Sequence, residues 1–529
     1  MVNRLQNQQG RTLIRAGLPV LAGILAMVLV LAGGGCDSAG SSSARPPVSS
    51  APVANDQAVT AAVNSFCGAC HAVPSPDSFP RDDWYEEVQR GFDFYYRSGR
   101  KDLVVPVQSE IVRWYQSRAP ELLPAAEQTV TESSVHFTAV PMATPGNSID
   151  GVAAVSFVGP IVSPGNPPPG AQGTPIQLLC SDMISGHVRR MDVTGTMLHD
   201  FSGIVRHPAA ARIADLNQNG QPDLILADLG SPLPEDHDRG KVVWIADYEA
   251  ASNPVILLDK VGRVADVRIG DMDGDGDPDV LAAEFGWYRT GGIHLIRNQR
   301  SAEAISTWTS ERLDSRAGPI HLPIVDLDRD GRLDFVALVS QEHEVVEAFL
   351  NRGASFERVQ LFAGADPSWG SSGIELTDFD GDGDEDILYT NGDTFDSNLV
   401  KPYHAVRLLE NTGALKFQPR TLAALPGVHR ALPADIDLDG DMDIVAAAIL
   451  PQQTLRAARR DDLQALIWLE QTAPGEFSRH LIQAGSPIYA SVFLTDTDQD
   501  GDVDVVAGCF DESRREGAQL LRVFTNSAR

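Results

Sequence analysis

Cys67-Gly68-Ala69-Cys70-His71 sets two thiols three residues apart, with an imidazole directly after the second. Held on one turn of chain, both thiols can add to the vinyl groups of a haem, and the adjacent His can then bind the iron. A zinc site would need a second Cys pair, and a thiol-redox fold would need a βαβ context; the chain offers neither. Five Cys in 529 residues also rule out a disulfide scaffold.

The second chemical pattern is carboxylate. D-x-D-x-D-G-x-x-D, with small variations, starts at residues 215, 271, 326, 378, 435 and 496. Alternate acids with Gly at the sixth place form a tight turn whose oxygens converge, and hard oxygen donors in a flexible loop suit calcium. Side chains at places one, three, five and nine would bind the ion, with the carbonyl of place seven. The donors are then Asp215, Asn217, Asn219 and Asp223; Asp271, Asp273, Asp275 and Asp279; Asp326, Asp328, Asp330 and Asp334. The later copies supply Asp378, Asp380, Asp382 and Asp386; Asp435, Asp437, Asp439 and Asp443; and Asp496, Asp498, Asp500 and Asp504. The ninth-place Asp is expected to bind through both oxygens. Two Asn in the first copy predict the weakest of about six calcium sites. Without a cation, such crowding of carboxylates is repulsive. The loops hold much of the acidity behind the net charge of −30, which excludes a nucleic-acid or anionic-membrane binder.

Loops so evenly spaced need a repeated scaffold. Each is followed by a β-rich run, such as Leu224–Leu229 or Ile444–Leu450, then by a second strand-like run, and in most copies by another, as at Phe356–Leu361. Four strands per unit of about 55 residues make a propeller blade, and no such unit buries its faces alone. Residues 149–202 read as one more blade without an acidic loop. The predicted fold is therefore mainly β, a seven-bladed β-propeller over 133–529. An orphan strand, Val135–Val140, is expected to complete the last blade and close the ring. The loops resemble those of FG-GAP/VCBS-type repeats of integrin-like propellers over about 205–510, and this resemblance implies a calcium-binding propeller.

Ahead of the repeats, 56–66 is helical in character, and Ser109–Ser117 places Ile111, Trp114 and Tyr115 on one helical face. A helix entering the thiol motif and an aromatic-bearing closing helix resemble a small all-α c-type cytochrome over about 56–125. The resemblance implies covalent haem c on Cys67, Cys70 and His71. That family usually adds a Met between motif and closing helix, but residues 72–108 contain no Met and no His. The second axial ligand then comes from Lys101, His136 or Met142, or the iron is five-coordinate, which would favour small-ligand or peroxide chemistry.

The first residues read as an address. Arg4, Arg11 and Arg15 precede an uncharged run, Ala16–Gly35, which marks 1–35 as an export signal. Leu31-Ala32-Gly33-Gly34-Gly35-Cys36 resembles a bacterial lipoprotein signal, which implies lipidation of Cys36, although Gly33 stands where that family usually has Leu. Residues 36–55 form a Ser/Ala/Pro-rich tether. The folded part is expected in the periplasm or at the cell surface, anchored to the membrane through lipid.

Two sets of residues remain. Cys180 and Cys509 fall in neighbouring blades, as buried thiols or a seam disulfide. Asp266, His321, His429, Arg430 and Tyr489 precede loops in the innermost strands, where a channel lining or a ligand site would lie. The expected function is electron transfer with a redox partner protein or surface ligand docked on the propeller. The alternatives are a haem-linked oxidoreductase acting at the channel mouth, or an adhesion or carbohydrate-binding propeller. No serine triad, phosphate loop or isolated carboxylate pair stands out as catalytic.

Overall fold

Three helices precede the sheets. α1, Asp56–Phe66, spaces Val59, Val63 and Phe66 so that all three share one buried face. It runs directly into a 3-10 turn, Cys67–Ala69. α2, Trp84–Ser98, stops at Gly99, whose left-handed φ of 73° lets its N–H reach the Tyr96 carbonyl. α3, Gln108–Gln116, buries Ile111, Val112, Trp114 and Tyr115. Trp84 of α2 stacks on Tyr115 of α3 at 3.8 Å, and Phe66 meets Phe92 at 4.9 Å. Trp114 Nε1 donates to Thr60 Oγ1 at 2.8 Å, joining α3 to α1. The computed structural model describes residues 56–140, 142, 152–161, 176–250, 252–300, 306–395, 397–458, 462–511 and 519–528. All of these lie in one unit, Pro52–Arg529. The export segment, the tether and Cys36 lie outside the described residues.

The remainder is mainly β, in propeller-like four-stranded antiparallel sheets. Val264–Gly270, Asp279–Glu284, Gly292–Arg300 and Ser306–Asp314 form one of them, in chain order. The same order recurs over 208–261, 319–363, 371–424 and 428–484. Each acidic loop joins the first strand of its sheet to the second. The second strands, such as Asp279–Glu284 and Asp443–Ala448, are buried along their whole length. Both of their faces are covered, so they read as unbroken apolar runs instead of alternating. Outer strands such as Phe356–Ala363 are largely exposed. The first strand of the 319–363 sheet is split into Pro319–His321 and Ile324–Val325. Pro323 stands at the break, where its ring offers no N–H to the ladder. A short helix, α4 (Gln452–Ala458), interrupts the 428–484 sheet between its second and third strands.

Apolar faces of successive sheets interlock. Ile225, Ala227 and Val242 share one core cluster with Val264, Val280 and Ile296 of the next sheet. The first strands touch in turn from 208–214 onward to 489–495, and Ala153–Pro160 touches both 489–495 and 208–214. The last sheet takes its fourth strand from the other end of the chain: Thr138↔Thr525 and Val140↔Val523 are antiparallel partners. The orphan strand is thus in the expected place. Ala153↔Asp511 and Ala154↔Phe510 link this sheet to the 153–200 sheet. Cys180 and Cys509 are buried free thiols in one cluster across that seam, and burial pushes the Cys509 thiol up to about 12. Met142 is buried in the same cluster. His136 is exposed beside the last strand, its N–H donating to Ser527 Oγ at 2.9 Å. Both lie outside the strand Thr138–Val140, with Met142 buried and the His136 side chain exposed.

Candidate functional site

The six acidic loops share one internal geometry. The first-place carboxylate accepts from the N–H of the sixth-place Gly in every copy, as in Asp271 Oδ2 to Gly276 at 2.9 Å. These glycines adopt left-handed φ, from 82° at Gly220 to 98° at Gly440 and Gly501, which explains the fixed residue type. The fourth place is left-handed as well, at Gln218, Arg329, Leu438 and Gln499 without the help of Gly. Such a conformation costs about 1 kcal/mol per L-residue and persists only where the surroundings impose it.

The ninth-place Asp has a second role beside the expected one. Asp279 Oδ2 accepts from Met272 N at 3.0 Å, and Oδ1 accepts from Asn298 N at 2.8 Å. Asp223, Asp334, Asp386, Asp443 and Asp504 do the same with the second-place N–H and with the chain at the far end of the third strand. This residue is therefore a buried staple before it is a ligand, since both oxygens already hold backbone donors. The sequence hides that role, because a staple and a ligand are both written Asp. The second-place side chains Leu216, Met272, Leu327, Phe379 and Ile436 are buried and anchor the loops below. Asn298 Nδ2, Asn351 Nδ2 and Asn526 Nδ2 donate to the carbonyls of Leu216, Met272 and Ile436, so a sheet grips the loop of the sheet before it.

Five loops converge enough to hold a cation. The triads are Asp271, Asp273 and Asp279; Asp326, Asp328 and Asp334; Asp378, Asp380 and Asp382; Asp435, Asp437 and Asp443; and Asp496, Asp498 and Asp500, each with ligand atoms within 4.8 Å of one another. Burial and neighbouring Asp charges push the Asp279 and Asp386 carboxyls up to about 6 and Asp443 to about 7. At Asp279 the nearby Arg297 offsets only part of this push. In the first loop Asn219 turns its Nδ2 to Asp247 at 2.8 Å. Arginines already touch some third-place acids: Arg297 reaches Asp273 at 3.1 Å and Arg352 reaches Asp328 at 2.6 Å.

At the thiol motif, Cys67 is half-buried and Cys70 exposed, both unbridged. Burial pushes the Cys67 thiol up to about 11. Arg100 Nη1 lies 2.8 Å from Cys70 Sγ and pairs with Asp102 at 2.7 Å. His71 Nδ1 stands 2.7 Å from the Ala72 carbonyl, a contact that needs the proton on Nδ1 and leaves the Nε2 lone pair free. Beyond Arg100 the chain exposes Val104, Val105 and Val107, with Val104 at 91%.

The helical region rests on the sheets at the end away from the acidic loops. Asp366, between two sheets, accepts from Ser75 N at 3.3 Å and Ser78 Oγ at 2.5 Å. Lys401 is buried, donates to the Ser368 carbonyl at 2.9 Å, and sits 5.6 Å from the Phe79 ring. Phe94 meets Tyr288 at 4.8 Å.

Among the inner-strand residues, Asp266 is buried and accepts from Arg212 at 2.9 Å and Arg268 at 2.8 Å, with His321 3.9 Å away. Arg430 pairs with Glu375 at 3.0 Å. Tyr489 stands apart, donating to Gln483 at 2.6 Å and accepting from Arg522 at 3.1 Å. Sequence reading missed Arg212, Arg268 and Glu375, because single charges in short strands carry no periodic signal.

Residues 215–282, 271–337 and 326–389 match the FG-GAP-like repeat family. Residues 215–389 are FG-GAP-like repeats. No curated protein matches the chain. Solved structures similar to this chain include BBS1N in complex with ARL6DN, at 11% identity and TM-score 0.42, covering 71% of this chain and 93% of that one. Another is the Bacillus licheniformis rhamnogalacturonan lyase PL11, at 14% identity and TM-score 0.39, covering 74% and 75%.

Proposed function

We propose that this is an exported haem c protein built on a calcium-stabilised, seven-bladed FG-GAP propeller, working in electron transfer with the propeller as docking or ligand-binding platform. The observation that carries this reading is the thiol motif. Two unbridged thiols stand at the end of α1, and the next imidazole keeps its Nε2 lone pair free. Exposed valines follow on the segment that Arg100 ties to Cys70. These residues fit a covalently held haem. Cys67 and Cys70 would hold it through thioether bonds, and His71 Nε2 would bind its iron. When bound, the group supplies one-electron exchange. The carbonyl of Ala72 fixes the imidazole tautomer and ring orientation. Val104, Val105 and Val107 would exclude water from the attached group, which would cover them in turn.

Seven sets of four strands with touching first strands support the blade count. The five Asp triads support calcium, and the first loop, which has only two carboxylates, would be the weakest site. The charge order of residues 1–36 supports export and lipidation at Cys36. Expression in a host that attaches haem c outside the cytoplasm tests the core of the proposal. A pyridine haemochrome spectrum and a mass increase of one haem, both lost in Cys67→Ser/Cys70→Ser, are expected. Haem-free protein from such a host would remove the reading.

A further inference from the structure

Five first strands, 208–214, 264–270, 319–321, 371–377 and 428–434, carry the ionisable side chains Arg212, Asp266, Arg268, His321, Glu375, His429 and Arg430. Arg212 feels the charges of Arg268 and Asp266 beside it, and also those of Glu375 and Arg430 from sheets that are not its neighbours. His321 and His429 feel Arg430, and His429 feels His321. Influence between non-adjacent sheets requires that these groups face one another across the axis.

The inventory is three guanidiniums, two carboxylates and two imidazoles. Burial holds both imidazoles below their ordinary range, His429 at about 4, so they are neutral at pH 7. The cluster keeps one surplus positive charge in a chain of net charge −30. Two features point to a missing partner. Nδ1 of His429 is shut off from solvent and has no hydrogen-bond partner among the described residues, and Nδ1 of His321 has only the Asp266 carboxylate, 3.9 Å away. Arg268 gives only Nε to Asp266.

The site is reachable. The closing residues of the first strands, 212–214, 268–270, 375–377 and 432–434, are partly exposed, whereas Val264, Ser371 and Val428 at their starts are buried. The first strands are thus more accessible at their acidic-loop ends than at their starts. Partly exposed Ile213, Ile269, Leu376 and Leu432 beside a few convergent polar groups have the composition of a small-ligand site.

We infer that the ring of Arg212, Arg268, Arg430, His321 and His429 binds the oxyanion end of a small polar ligand, a carboxylate or a tetrahedral oxyanion, at the floor of the central channel. Planar guanidiniums suit both geometries, and neutral imidazoles donate a hydrogen bond without adding charge. The inference rests on the closed ring of the proposed function and is independent of haem; a haemochrome result of either sign leaves it standing.

Calorimetric titration of the calcium-loaded protein with sulfate, and separately with acetate, tests it against chloride at equal ionic strength. Calcium is kept present because empty acidic loops at the rim repel anions. Saturable binding of sulfate or acetate that chloride does not reproduce is expected; which one binds tells a tetrahedral oxyanion from a carboxylate. Arg430→Gln should weaken binding at least about 10-fold, the loss of one charged hydrogen bond. Glu375→Gln, which removes an opposing charge, should strengthen it. A merely structural Arg430–Glu375 pair would not produce opposite signs. Equal heats for chloride, or unchanged affinity in both folded variants, would overturn the inference.

Discussion

At the residue scale, one residue type performs two tasks inside each acidic loop, and substitution separates them. Asp279 is fully buried and holds two backbone N–H groups, so Asp279→Ala strands both. A loss of about 2–4 kcal/mol is expected, with or without chelator. Asp273 is partly exposed and bonded only to Arg297. Asp273→Ala should cost stability only when calcium is present. Denaturant titrations of both variants, with and without EDTA, check the contrast. Glu344 offers a second test. It is buried, accepts from Ser371 N at 2.8 Å, and burial pushes its carboxyl up to about 8. An unfolded Glu releases its proton near 4.5. Between those values the folded state binds more protons than the unfolded state, so stability falls as pH rises across that window. Glu344→Gln should remove that slope and gain about 1–3 kcal/mol at pH 8. A wild-type stability curve with no fall between pH 5 and 8 that Glu344→Gln alters would contradict this assignment.

At the scale of elements, the chain ends depend on each other. Thr138–Val140 pairs with Leu521–Thr525 and covers an edge that would otherwise be open to pairing with other molecules. Ala139 stands opposite Phe524. Ala139→Pro should lower stability by about 1–3 kcal/mol and raise aggregation, because proline leaves a gap in the ladder. Thermal unfolding followed by light scattering reads both effects. This closure was legible in the sequence, since a strand-like run before the first repeat had no partner in order. The second strands were legible too, as apolar runs directly after each loop. α2 was not: Gly91 and a mixture of aromatic and charged residues blur its period, and Trp84 and Phe92 gain their meaning from Tyr115 and Phe66 in other helices. The split at Pro323 was visible as a residue but not as a consequence, because its effect depends on a ladder that tertiary structure supplies.

At the scale of the whole molecule, the acidic loops gather on one face while the helical region occupies the other. They hold 2, 5, 4, 6, 5 and 5 acidic residues in chain order, 27 of the 72 in the chain. Repulsion on that face is a property of the whole ring, since Asn298, Asn351 and Asn526 tie loops to following sheets. Strain in one loop therefore reaches the next blade. A cation held by the folded loops and not by the unfolded chain stabilises the fold by mass action, so chelation should lower Tm. Salt then separates charge from coordination. The screening length is about 30 Å at 0.01 M and about 8 Å at 0.15 M. In EDTA, raising NaCl across that range should recover several degrees of Tm, because it screens unpaired carboxylates. With calcium bound, the same change should move Tm less, because each ion offsets two of its loop's negative charges. Calorimetric scans at both salt levels, with metal content checked by elemental analysis, decide the matter. Equal salt sensitivity in the two states would mean that the arginines around the loops, not a cation, balance their charge.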